Sequence, residues 1–129
     1  MTDYGRISVR GIYSVNSDYS EPRHDTKRFQ YEITPDEAIH TRLEVPTADT
    51  TLSLANFTSV SSVVIHNTDA TNFVTVDWTG STEAPADNSN VQKIPADGLL
   101  VLSHVVPAGN LVFLADTGTV YVDVFVTGT

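Results

Sequence analysis

Cysteine is absent from the 129-residue chain, and methionine and tryptophan occur once each. Without cysteine there is no disulfide, no zinc–thiolate centre and no thiol nucleophile. Long apolar runs are missing too. No stretch approaches the roughly 18 apolar residues of a membrane helix. The opening MTDYGRISVR lacks the apolar core of a secretory signal. The sequence therefore predicts neither a membrane partner nor export. Positive charge is scarce beyond the first third. Residues 1–42 hold six basic residues against seven acids, whereas residues 43–129 hold Lys93 alone against nine acids, within a total of -9. A surface of that sign keeps a domain soluble and repels phosphate backbones and anionic lipid, which argues against nucleic acid as a partner.

What is present is a chain the size of one domain. It is long enough to bury roughly two-thirds of its unfolded surface, and so to build a core without staples. Residues 1–28 are polar and turn-rich apart from ISVRGIY. Such a segment gains little by folding on its own and orders against a partner, so residues 1–28 read as an extended N-terminal arm. From Phe29 the pattern has period two, the mark of strands with one buried face. Phe29, Tyr31 and Ile33 alternate with Gln30 and Glu32; Ile39, Thr41, Leu43 and Val45 with His40, Arg42 and Glu44. Leu52 and Leu54, VSSVVIHN (60–67), NFVTVDW (72–78) and Val91–Ile94 follow. GLLVLSHV (98–105) and NLVFLA (110–115) are nearly continuous apolar runs, as expected of central strands. TVYVDVFV (119–126) puts Val120, Val122, Val124 and Val126 on one face.

Turn residues separate the runs at Asn67-Thr68-Asp69, Thr79-Gly80, Pro95-Ala96-Asp97-Gly98, Pro107-Ala108-Gly109 and Thr117-Gly118. Eight or nine short strands at this spacing predict an all-β antiparallel sandwich over residues 29–129, jelly-roll-like by preference and immunoglobulin-like as second choice. Thr34-Pro35-Asp36-Glu37 fits a capping box that would open a helix through Leu43, and equally a type I turn. Alternation on both sides favours the turn, hence a first hairpin of 29–33 with 37–45.

Catalytic and metal signals are weak. The histidines, His24, His40, His66 and His104, show no i, i+4 pair and no H-x-H spacing. No serine lies in a G-x-S-x-G elbow. Glu32 and Glu44 would be neighbours outside the first hairpin, where a solvated pair outweighs glycosidase chemistry. Asn67-Thr68-Asp69-Ala70-Thr71-Asn72 gathers oxygen donors that calcium accepts, but lacks EF-hand spacing and has the residues of an ordinary turn. Asn56-Phe57-Thr58 matches a glycosylation sequon, read as coincidence without a signal peptide. Trp78, at a strand end, fits the core or an interface better than a sugar platform. Neither enzyme activity nor a metal or cofactor is expected.

The run TLSLANFTSVSSVVIHNTDATNFVTVDW (51–78), with Asn67-Thr68-Asp69 and Asn72 as its sharpest part, precedes IPADGLLVLSHV (94–105) and LADTGTVYVDVFVTGT (114–129). Over residues 51–129 this succession resembles small β-sandwich proteins encoded among the head genes of tailed bacteriophages. The resemblance implies a non-enzymatic virion component, made in the host cytoplasm and carried on the capsid surface. It would be a decoration or cement protein that binds the major capsid protein without a cofactor, as a homo-oligomer with a trimer favoured. The alternative is a carbohydrate-binding or host-adhesion module of a virion or tail. Residues 1–50 lie outside the resemblance. There the residues themselves point to the arm as a protein contact, through Arg6, Arg10, Tyr13, Arg23, Lys27 and Arg28. The arm carries five of the seven basic residues, which an acidic neighbouring body or an acidic capsid surface would attract. The competing reading makes Ile7, Val9, Ile12 and Tyr13 an ordinary edge strand.

Overall fold

The computed structural model describes residues 5–13, 24–26, 28–33, 37–78, 91–103 and 109–129. All regular structure among them is β-strand. The chain divides into two compact units, Met1–Thr34 and Pro35–Thr129.

In the first unit, β1 (Gly5–Val9) pairs antiparallel with β4 (Phe29–Ile33), and β2 (Ile12–Tyr13) with β3 (His24–Asp25). Gly11 and Thr26 join the two ladders: the Thr26 N–H donates to the Gly11 carbonyl at 3.0 Å, and the Gly11 N–H to Thr26 Oγ1 at 2.9 Å. The arm is thus a β-ribbon. Ile7, Val9, Ile12 and Tyr13 do lie on strands, but these pair within the ribbon and join neither larger sheet. The ribbon also claims Phe29–Ile33, which alternation had assigned to the sandwich. The expected hairpin of 29–33 with 37–45 is not formed, because β4 pairs with β1. Alternation fixes which face of a strand is apolar, not which strand it joins.

The second unit holds β5 (Glu37–Val45), β6 (Thr50–Ser53), β7 (Val60–Asn67), β8 (Val74–Asp77), β9 (Val91–Ile94), β10 (Leu99–Ser103), β11 (Asn110–Ala115) and β12 (Val120–Gly128). They form two antiparallel four-stranded sheets, ordered β10-β7-β12-β5 and β6-β11-β8-β9. The pairings β5–β12, β6–β11, β7–β10 and β8–β9 trace one long antiparallel ribbon, from Glu37 opposite Gly128 to Asp77 opposite Val91. That ribbon rolls up until β12 meets β7 and β11 meets β8. Eight strands in this order are a jelly roll. The helix alternative through Leu43 is excluded, since β5 is a regular strand.

Alternation explains the core. Val120, Val122, Val124 and Val126 are fully buried, as are Val63 and Ile65 of the adjoining β7 and Val74, Val76, Leu111 and Phe113 of the other sheet. Each contributes roughly 1.5–3 kcal/mol by leaving water. β11 is central, as its apolar run implies, but β10 is an edge strand whose Leu99 is 57% exposed. Two buried hydroxyls, Ser62 and Thr127, satisfy each other at 2.6 Å. Gly128 follows at a register shift. It approaches the Ser59 carbonyl so closely that a Cβ has no room, and the Thr129 N–H bonds the same carbonyl at 2.9 Å.

Candidate functional site

The oxygen-rich loop after β7 is organised by Asn67, which is fully buried. Its Nδ2 lies 2.9 Å from the Asn72 carbonyl, 3.2 Å from that of Ile94 and 3.0 Å from that of Pro95. Its Oδ1 accepts the Asp69 N–H at 3.0 Å, and its own N–H donates to the Gly98 carbonyl at 2.9 Å. Asp69 Oδ1 accepts the N–H groups of Thr71 at 2.8 Å and Asn72 at 2.6 Å. Those backbone donors, Asn72 first, hold the Asp69 carboxyl below the usual aspartate range. Thr68 binds the Tyr121 carbonyl through its Oγ1 at 2.6 Å. The Asp97 N–H reaches the Asp69 carbonyl at 2.9 Å, and Asp97, at φ 55°, also meets His66 Nε2 at 2.9 Å. Asn67 Oδ1 and Asp69 Oδ1 thus accept from backbone donors, Thr68 Oγ1 donates to a carbonyl, and Asp97 Oδ1 meets the His66 ring. No group of three His, Cys, Asp or Glu that could hold a metal occurs among the described residues. The loop is a weld between the β7–β8 and β9–β10 connections.

The N-terminal ribbon has a different character. Its register sets Arg6 opposite Glu32 and Ser8 opposite Gln30 on one face, and Val9 opposite Phe29 on the other. Arg6 pairs with Glu32 at 2.7 Å, both well exposed. Arg10 grips Asp25 through two bonds, 3.0 and 2.6 Å, and that partner raises the Arg10 pKa. Two of the six arm residues singled out from sequence therefore spend their charge inside the ribbon. Arg28 is exposed beside Phe29. Tyr13 lies on β2. Arg23 and Lys27 fall outside the described residues. The opposite face is apolar at its β1–β4 end: Ile7 is buried, whereas the cross-strand partners Val9 and Phe29 are 41% and 66% exposed.

Sequence reading missed this pair, since Phe29 was assigned to a buried sandwich face. The usable signal was ISV against FQYEI, two short alternating segments whose apolar positions match when run antiparallel. Glu32 and Glu44 do not share a hairpin: Glu32 faces Arg6 in the β1–β4 ladder, and Glu44 faces Tyr121 in the β5–β12 ladder. Trp78 is half-buried and packs against the sandwich core. Compared with known proteins, the chain matches no protein-family model and no curated protein.

Proposed function

We propose that this protein is a non-enzymatic structural component of a tailed-phage particle, a decoration or cement protein that binds the major capsid protein on the outside of the shell and self-associates. One observation carries the reading: an amphipathic ribbon displays Val9 and Phe29 side by side to solvent. A two-stranded ribbon is marginal alone, and exposed adjoining apolar side chains are a binding device when polar residues surround them. Arg28 beside Phe29 adds a cation suited to an acidic rim. The jelly roll serves capsid proteins and lectins alike, so the fold by itself does not choose between them. Against the carbohydrate reading, Trp78, the residue that would stack on a sugar, is packed against the core.

The test is pelleting with purified shells of the parent phage, alongside a glycan-binding screen. The full chain should pellet with shells at saturable stoichiometry and ignore glycans. Residues 35–129 alone should stay in the supernatant. Glycan binding without shell binding would reverse the choice.

A further inference from the structure

Jelly rolls leave four sheet edges, and in the second unit three are short: β10 with five residues, β6 and β9 with four each. The fourth edge is β5, nine residues long. Its register with β12 runs unshifted from Val45 to Glu37, and no proline interrupts it. Among the described residues, β12 is its only strand partner. We propose that this edge is a self-docking site, at which a second copy of the chain pairs antiparallel with β5 about a twofold axis at Leu43.

The charges on β5 favour one register for a second copy. Arg42 and Glu44 are exposed on the outer face of the sheet, two positions apart. An antiparallel partner that continues the same face sets even-numbered residues opposite even-numbered residues. An axis at Leu43 puts Arg42 opposite the second copy's Glu44, and Glu44 opposite its Arg42, with the two Leu43 residues paired between them. An axis at Arg42 stacks two arginines; an axis at Thr41 sets Arg42 against His40; an axis at His40 sets it against Ala38. Only the Leu43 register satisfies both charges. It spans Thr41–Val45, five rungs, which equals the β10–β7 ladder within the fold. Pro46, which has no N–H, ends it. The second unit's other cation, Lys93, is held over the Phe73 ring at 3.7 Å. Arg42 already lies opposite Asp123 in the β5–β12 ladder, over the Tyr121 ring at 5.4 Å and 3.4 Å from Thr68 Oγ1, so the second copy's Glu44 would join a cluster that the fold has begun. The two β10-β7-β12-β5 sheets would merge into one of eight strands. This inference concerns the isolated protein and stands whether or not shells are bound.

Sedimentation equilibrium of the full chain over a wide concentration range tests it, with R42E and E44R. Each variant sets like charges opposite at both rungs, and each should weaken the dimer on the order of tenfold or more while melting cooperatively. An equimolar mixture of the two variants should dimerise again, because every rung of the mixed pair joins opposite charges. Hydrogen exchange of the wild-type amides at 41–45 should slow as concentration rises through the dimer range, a readout independent of variant folding. Dimerisation unchanged in both variants, a mixture no tighter than its components, exchange at 41–45 independent of concentration, or a chain that is monomeric or threefold throughout would overturn the proposal.

Discussion

Asn67 ties the β7–β8 loop, the end of β9 and the following turn through one side chain. Its replacement by alanine leaves three carbonyls without their donor and the Asp69 N–H without its acceptor. Buried unsatisfied groups cost about 1–3 kcal/mol each, part of which water recovers. Asn67→Ala should therefore lose about 3 kcal/mol, seen as a fall in Tm of roughly 10 °C. Asp69 contributes through charge. Its carboxyl is depressed in the folded chain, so its stabilisation is complete above the ordinary value of 3.8 and is lost as pH falls through the lower folded-state value. The Tm gap between wild type and Asp69→Asn should be constant from pH 7 to pH 5 and close on further acidification; a gap that widens there contradicts the assignment. Val122 has no exposed surface and lies between Leu43 and Asn67. Val122→Asp buries an unpaired carboxylate, and an unchanged melting curve would contradict its place in the core. The cost should be several kcal/mol.

At the scale of elements, strand existence was legible and strand partnership was not. The four valines of β12, the Val74–Val76 face of β8 and the short β9 follow from alternation, because a period of two on a half-buried sheet leaves no other solution. Alternation carries no address, however. Phe29–Ile33 has the same pattern whether it joins β5 or β1, and its near neighbour in sequence was the default choice. The apolar run 98–105 suggested a central strand, yet β10 is an edge with Leu99 outward. The Asn67 loop was legible as a turn, whereas the burial of Asn67 depends on the β9–β10 turn, 28 residues away. The ribbon boundary has a practical consequence. A truncation after residue 28 leaves β4 without its β1 partner, whereas one after Thr34 follows the division between units. Residues 35–129 should melt cooperatively within a few degrees of the full chain. Residues 29–129 should aggregate more readily, because a lone strand carrying Phe29 is exposed. Light scattering during thermal melts distinguishes the two truncations.

For the whole molecule, the rolled ribbon places β5 against β12, the two ends of the second unit, so native contacts close late along the chain and folding is slow for this size. The same arrangement separates tasks. The sandwich, with its loops joined at Asn67, holds the buried core, and the ribbon presents Val9 and Phe29 exposed, the pair on which the proposed docking rests. The central claim is that this pair docks the protein on a capsid shell. The most direct measurement is the affinity of full-length Phe29→Asp and Val9→Asp for purified shells, with wild-type circular dichroism as the folding control. Because both side chains are exposed, each variant should keep its spectrum. The account predicts that each binds shells at least about tenfold more weakly than wild type, as expected when a docked apolar anchor becomes charged. Folded variants that bind shells as tightly as wild type would contradict it.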